Sequence, residues 1–329
     1  MRARRHLVTA ASAFAGAALF AYAVRRAGTA EIVDGIQRVG WGLVLILGLA
    51  GLRFVIRAEC WRWCLPPSVR FPLPRALAAF LAGDAVGNVT PLGLLASEPT
   101  KVLLTRHHLA PRESIASLAV ENLVYAASVL AMVGIGVVVV VTNVPMPRSW
   151  VAAAVAALAA MVAGTAAALR AMRGTWNPAR GARPRWRERL ATVRDEAVRF
   201  SGGHPRRLWR VFVLDLLFHA LAVVEVFITL EWLLGARSPT FVQAIGFEAL
   251  NRVITAVFKF VPFRVGIDEA SSGALAPILS VNPAAGVALA VVRKVRNLFW
   301  AGIGLGLVAL SGRSEQGERR IAPEPTPRV

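Results

Sequence analysis

Long apolar runs, separated by short segments rich in arginine, dominate the chain. Most runs reach or approach the roughly 20 residues that a helix needs to cross the hydrocarbon core of a bilayer. The pattern therefore predicts an all-α, polytopic bundle of transmembrane helices. The main predicted spans are Leu7–Val24, Trp41–Leu65, Ile115–Val141, Trp150–Leu169, Leu208–Leu234, Phe241–Phe260 and Gly286–Leu310.

Two further apolar stretches, Ala76–Leu95 and Val265–Leu279, are interrupted by polar residues, glycine and proline. Arg75 and Arg112 are expected on the same side of the membrane, so the first stretch must enter and return, or form a pair of short helices. Irregular backbone at membrane depth is tolerated only inside protein or beside a wet cavity. Two such breaks, in corresponding halves of a chain and with a possible inverted repeat, indicate a transporter binding site.

Basic loops predict the orientation. The segment 170–210 holds twelve arginines against Glu188, Asp195 and Glu196, so it is expected in the cytoplasm. Both chain termini are predicted on the same side, in a bacterial inner membrane. We predict one membrane domain over residues 1–311 and a disordered cytoplasmic tail over 312–329, where charged residues and proline replace the apolar run. Arg25 and Arg26 stand where a signal peptide would have a cleavage site, which favours an uncleaved first helix.

Composition supports a membrane protein and disfavours several other classes. Hydrophobic residues make up 56% and charged residues 17% of the chain, against averages of about 45–50% and 25% in soluble domains. The net charge of +19 could suggest a nucleic-acid-binding protein. The arginines lie between the apolar runs, however, which fits the topology of a membrane protein better. Cys60 and Cys64 are expected to pack as apolar side chains. Neither metal-ligand spacing nor an evident nucleophile is found, so no metal, cofactor or enzymatic activity is predicted.

The two interrupted stretches share a pattern around an acidic residue. Pro91–Glu98 and Pro262–Glu269 each place a glutamate seven residues after a proline, with Gly93 or Gly266 between them. Proline ends a helix, and glycine lets the chain turn. Each glutamate is then predicted near the start of the next half-helix, where the helix dipole favours negative charge.

Free N–H groups at such a helix start also form an anion site, and a lipid phosphate is the anion at hand in a bilayer. Ser97 or Asp268, directly before each glutamate, is a candidate N-cap. The alternative is that Glu98 and Glu269 only cap their helices and neutralise a nearby base.

Several ionisable residues fall inside apolar runs, where they are costly and usually face a cavity or a partner. Asp84 and Asn88 are four residues apart and share a helical face. Glu121 lies near the start of a predicted span. Glu248 and Arg252, also four apart, most simply form a pair within one helix.

The predicted span Leu208–Leu234 carries a possible relay. Asp215 and His219 have the spacing of an intrahelical pair, whereas Glu225 has no partner within one turn and requires one on another helix. A proton or ion relay would use such a residue, and a buried, protonated carboxyl would fit equally well.

The chain has three lysines among many arginines, and two of them flank the interrupted stretches. Lys101 follows the first stretch and Lys259 precedes the second. Either ammonium could hold a phosphate as a point charge, or it could extend to the membrane interface.

The stretch Gly83–Lys101, followed by Ala116-Ser117 and Glu121, resembles the lysylphosphatidylglycerol synthase transmembrane family, also called the flippase-like domain family. The family also has a second break in its C-terminal half, which is matched here by Pro262, Gly266 and Glu269. The resemblance covers roughly residues 5–311 and implies re-entrant segments that move polar lipids between leaflets. The aminoacyl transferase domain of the founding members is not expected here. Ala96-Ser97 and Arg264-Val265 depart from the glycines common in the family, which leaves the substrate open.

The leading hypothesis is therefore a lipid flippase or transporter whose partners are membrane lipids: a phospholipid, a hopanoid or a polyprenyl-linked lipid. The alternative is a membrane anchor for a cytoplasmic lipid-modifying or glycosyl-transferring enzyme, with 170–210 as its docking surface. The predicted substrate-binding residues are Glu98, Lys101, Arg264, Glu269, Asp84, Asn88, Glu121 and Asp268. The predicted relay residues are Glu225, Asp215 and His219.

Overall fold

The computed structural model describes residues 29–90, 93–145, 147–173, 195, 203–235, 237–259 and 261–321, and this part of the chain is helical without strands. The all-α prediction is thus confirmed. The helices are α1 (Thr29–Val39), α2 (Gly42–Cys64), α3 (Leu73–Val89), α4 (Gly93–Thr105), α5 (Pro111–Asn143), α6 (Arg148–Arg173), α7 (Pro205–Leu234), α8 (Phe241–Val257), α9 (Ile267–Leu275) and α10 (Pro283–Ile321). Two 3₁₀ turns, Pro262–Arg264 and Ala276–Leu279, flank α9.

Six of the predicted spans correspond to helices α2, α5, α6, α7, α8 and α10. The prediction Leu7–Val24 lies outside the described residues, as does most of the basic segment 170–210. Among the helices described, Pro111–Asn143, Arg148–Ala167 and Pro205–Leu234 are long and apolar enough to cross a membrane by themselves. The others carry more charge or are shorter.

The first interrupted stretch is a pair of helices, as one of the two sequence-based alternatives requires. Gly87 of α3 lies against Gly93 of α4, while Gly83 lies against Ser97 and Lys101, so the helices run antiparallel. A Cβ on Gly93 would stand 2.3 Å from the Gly87 carbonyl oxygen. The close approach therefore requires glycine at this contact. Pro91 and Leu92, at the break itself, lie outside the described residues.

Left-handed backbone stands directly before the second interrupted stretch and at its start. Phe263 and Arg264 have φ angles of 48° and 47°, and Gly266 has 81°. Left-handed conformations cost about 1–3 kcal/mol each for non-glycine residues. Gly266 is the N-cap of α9, and its N–H donates to Glu269 Oε2 at 2.8 Å. The N-cap prediction for Asp268 is therefore wrong, because α9 already begins at Ile267 and Asp268 lies inside its first turn.

The same prediction is wrong for Ser97, which lies inside α4 because this helix already begins at Gly93. The first glutamate, Glu98, consequently stands in the second turn of its helix, whereas Glu269 stands in the first turn of α9. The two glutamates that the sequence pattern equates thus have different local roles.

Helix α10 packs against a helix next to each of the two breaks. It packs along α9, where Gly286 lies against Ser272 and Ala276, and along α3, where Gly304 lies against the Leu81 backbone. It continues to Ile321 and so includes the first residues of the segment predicted as a tail. The domain boundary at 311 and the inverted repeat stay predictions.

Replacing Gly304 by alanine is expected to lower the free energy of unfolding by about 1–3 kcal/mol, the usual cost of overpacking. A Cβ at Gly304 would stand 2.2 Å from the Leu81 carbonyl oxygen, which is backbone and cannot move aside cheaply. Thermal unfolding of the purified protein in detergent measures the effect. Gly302→Ala is the matched control on the same helix, because nothing lies within 4 Å of its Cβ position. Equal midpoints for the two variants would contradict the α3–α10 contact.

Candidate functional site

Both interrupted stretches line one cavity of about 310 Å³ at the centre of the bundle. Helices α2, α3, α4, α5, α7, α8, α9 and α10 all contribute to its wall, together with the segment between α8 and α9. The ionisable side chains in the wall are Arg53, Arg57, Asp84, Glu98, Lys101, Arg252, Lys259, Arg264, Asp268, Arg293 and Arg296. A cavity so rich in charge within a membrane protein is a candidate site for a polar ligand.

The first helix pair presents two polar couples to the cavity. Asn88 Nδ2 donates to Asp84 Oδ2 at 2.8 Å, which confirms that these residues share a face of α3. Lys101 Nζ donates to Glu98 Oε1 at 2.9 Å and lies 4.0 Å from the Phe80 ring centroid. The second carboxylate oxygen of Glu98, Oε2, is buried without a hydrogen-bond partner within the described part of the chain. This oxygen is available to a donor on a ligand.

The second break supplies a third couple, because Arg264 Nε donates to Asp268 Oδ1 at 3.0 Å. Lys259, just before the break, also lines the cavity. Glu269 does not line it: the carboxylate is fully buried, caps α9 and pairs with Lys294 of α10. Glu269 therefore holds the break against α10 from behind the wall.

The arginines of α2, Arg53 and Arg57, form another part of the cavity wall. Arg57 pairs with Glu121 of α5 at 2.6 Å and with Asp215 of α7 at 3.1 Å. Its guanidinium lies 3.7 Å from the ring centroid of Tyr125, which is cation–π distance. Glu121 and Asp215 are fully buried, so they lie beneath the cavity surface and fix Arg57 from below.

Two buried glutamates each bridge a pair of arginines. Glu225 of α7 pairs with Arg53 of α2 and Arg296 of α10. The sequence-based expectation that Glu225 has its partner on another helix is confirmed.

Glu248 of α8 is the second bridging carboxylate. It pairs with Arg252 on its own helix, as predicted, and with Arg293 of α10 at 2.8 Å. The two bridges connect α10 to α2, α7 and α8 at the level of the cavity.

His219 does not pair with Asp215, and the intrahelical pair predicted from their spacing is wrong. Its Nε2 lies 3.1 Å from Ser128 Oγ on α5, and its ring stacks on Tyr125. Asp215 binds Arg57 instead, because a buried carboxylate gains more from a guanidinium than from a neutral imidazole.

Most of the predicted substrate-binding residues thus meet at one cavity, namely Asp84, Asn88, Glu98, Lys101, Arg264 and Asp268. Glu121 and Glu269 lie behind its wall. The three relay candidates Asp215, His219 and Glu225 also lie behind it, each with a separate partner. A continuous path between them stays a prediction.

Sequence reasoning did not identify the arginines of α2 and α10 as site residues. Arg53 and Arg57 stand four residues apart within an apolar run, and Arg293 and Arg296 stand at the start of another. Ionisable groups spaced to share one helical face at membrane depth were the available signal.

The fold and the cavity define an integral membrane protein of the all-α type with a charged central site. The model of one family, the lysylphosphatidylglycerol synthase TM region, matches residues 8–306. The chain belongs to this family. This transmembrane domain is not itself a catalytic domain, and the described helices form no soluble catalytic fold. No curated protein and no solved structure matches the chain.

Proposed function

We propose that the protein moves a polar or anionic lipid between the leaflets of the bacterial inner membrane, with the headgroup in the central cavity. The observation that carries the proposal is the convergence of both helix breaks on one charged cavity. A headgroup needs a polar path across about 30 Å of hydrocarbon, and its acyl chains do not. Broken helices around a central polar site are the arrangement expected of such a path.

The residues around the cavity form two layers: a binding surface that faces the cavity and a supporting layer of buried carboxylates behind it. Lys101, Lys259 and Arg264 contribute ammonium and guanidinium groups to the surface. Glu121, Glu225 and Glu248 are at most 2% exposed and pair from behind with the arginines that line the cavity. We call these arginines the arginine wall: Arg53, Arg57, Arg252, Arg293 and Arg296. Because the supporting carboxylates fix the cations in place, the site is ordered before a headgroup enters, which lowers the entropy cost of binding.

Family membership supports a function connected with membrane lipids, and the apolar outer faces of α5, α6 and α7 support lipid contact. We place the basic segment 170–210 and both termini in the cytoplasm, following the positive-inside rule. Labelling of single cysteines, introduced at Ser149 or at Ser201 in a variant without Cys60 and Cys64, tests the orientation, because this topology puts the two positions on opposite sides of the membrane.

Replacing Glu98 by glutamine is expected to reduce lipid translocation by about tenfold or more, since a charge-assisted hydrogen bond is worth roughly 1.5–3 kcal/mol. The change keeps the shape of the side chain but removes the charge that holds Lys101 and the buried oxygen that is free to accept from a headgroup. Reconstituted vesicles with fluorescent lipids, quenched from outside by dithionite, measure the rate.

Glu231→Gln is the matched control, because Glu231 is an exposed carboxylate of α7 that does not line the cavity. Its rate should equal that of the unaltered protein. A Glu98→Gln protein that translocates at the unaltered rate would contradict the proposed function, provided that its unfolding midpoint is also unaltered.

A further inference from the structure

The charges that face the cavity are unequal in number. Eight basic side chains and three acidic ones line it within the described part of the chain. The basic ones are Arg53, Arg57, Lys101, Arg252, Lys259, Arg264, Arg293 and Arg296, and the acidic ones are Asp84, Glu98 and Asp268. A ligand in the cavity thus meets a surface that is mainly cationic.

The acidic residues that line the cavity are already engaged. Glu98 pairs with Lys101, Asp268 pairs with Arg264, and Asp84 accepts from Asn88. An ammonium group on a headgroup would have to displace one of these partners before it reached a carboxylate. It would also stand beside several guanidinium groups, which repel it at short range.

The supporting carboxylates do not restore the balance. The five arginines Arg53, Arg57, Arg252, Arg293 and Arg296 share four buried carboxylates, which lie behind the wall. Glu269 also lies behind the wall, where it pairs with Lys294. Among the described residues, the eight lining cations and Lys294 thus exceed by one the eight carboxylates of both layers, which are the three that line the cavity, the four that hold the arginines, and Glu269. The cavity keeps a formal positive charge that a ligand can neutralise.

Lys259 is the cation without a carboxylate of its own. Among the described residues it forms no ion pair, although Glu98 and Asp84 lie within electrostatic range of its ammonium group. A lysine ammonium is a compact, strongly hydrated charge on a flexible stem, well suited to a phosphate oxygen. The neighbouring Arg264 adds a planar guanidinium, which binds phosphate through two parallel hydrogen bonds when its geometry permits.

We infer that the cavity selects phosphate-bearing headgroups of net negative charge and rejects zwitterionic and aminoacylated ones, with Lys259 as the residue that determines this selectivity. The inference rests on the proposed function and adds the chemical class of its substrate. A phosphodiester with a hydroxyl at its far end meets the cationic wall with its charge and the buried Glu98 oxygen with its hydroxyl. The same phosphodiester with an ammonium group brings no net charge to neutralise the site.

Binding of two soluble lipids that differ at one group tests the inference. Dioctanoyl phosphatidylglycerol and dioctanoyl phosphatidylethanolamine share a phosphodiester but end in a hydroxyl and an ammonium group, respectively. Titration of the purified full-length chain in detergent should give a Kd for the first lipid at least tenfold lower than for the second. Lys259→Ala should weaken both lipids, because both carry the phosphate, but it should weaken the first much more and so remove most of this difference, because the first alone brings a net negative charge.

Arg75→Ala is the matched control, because Arg75 is an exposed cation at the start of α3 outside the cavity. It should keep the unaltered preference. Lys259→Gln, which keeps a polar side chain, serves as a second variant if the alanine protein unfolds at a lower temperature. Equal affinities for the two lipids, or an unchanged preference in both Lys259 variants, would overturn the inference.

Inorganic phosphate distinguishes a lipid headgroup from a free anion. The lipid should bind at least tenfold more tightly than inorganic phosphate, because its glycerol and chains add contacts. Equal affinity would overturn the assignment to lipid. Failure of the charge selectivity can be distinguished from failure of the proposed function. If vesicles translocate both lipids in a Glu98-dependent manner, the protein is a transporter without this selectivity. If the protein binds the lipids selectively but does not translocate them, the site is correct and the transport function is wrong.

Discussion

Replacing Arg57 by methionine is expected to lower the free energy of unfolding by about 3–5 kcal/mol, the cost of breaking a buried ion pair from one side. The substitution would leave Glu121 and Asp215, both fully buried, without their shared guanidinium. Thermal unfolding in detergent, followed by tryptophan fluorescence, measures the loss. Arg38→Met is the control, because its pair with Asp34 is about half exposed and such pairs contribute little.

A rescue variant tests the cause of this loss. Adding Glu121→Gln and Asp215→Asn to Arg57→Met removes the stranded charges and keeps the shapes of the side chains. We expect the triple variant to recover most of the stability, because neutral amides cost far less to bury than carboxylates do. If the triple variant is no more stable than Arg57→Met alone, Arg57 stabilises the protein through its packing on Tyr125 rather than through its charge.

The hydrophobic pattern was sufficient to predict most of the helices, although not α1, but it did not predict the ion pairs of the charged interior. Apolar runs specify helices locally, and proline with glycine specifies where a helix ends, so the breaks near Pro91 and Pro262 were visible in the sequence. The partner of a buried charge is chosen by the tertiary fold. Arg53 and Glu225 are 172 positions apart, and nothing local relates them.

The two glutamates of the interrupted stretches show the limit of a sequence motif. Glu98 and Glu269 share their distance from a preceding proline, yet one faces the cavity and the other caps a helix behind it. The difference arises because α9 starts at Ile267, two residues before Glu269, whereas α4 starts at Gly93, five residues before Glu98. Glu269, the third residue of its helix, can therefore accept from the N-cap N–H, whereas Glu98 stands one turn further along its helix, where such a cap cannot form.

Replacing Glu248 by leucine is expected to produce a second loss of about 3–5 kcal/mol in the free energy of unfolding, since it strands two buried guanidinium groups. Glu248 is 2% exposed and bridges Arg252 of α8 and Arg293 of α10. The same unfolding measurement detects the effect. Adding Arg252→Met and Arg293→Met should restore the stability, because the three apolar side chains pack together where the ion pairs were.

The restored triple variant separates the fold from the chemistry of the cavity. Its helices should unfold near the unaltered midpoint, yet two of the cations that line the cavity are gone. If the arginine wall attracts the headgroup, this stable protein should translocate an anionic lipid at least about tenfold more slowly, as expected from the loss of one or more charge-assisted contacts. If it translocates at the unaltered rate, Arg252 and Arg293 serve only to attach α8 to α10, and the headgroup is bound by Lys101, Lys259 and Arg264 alone.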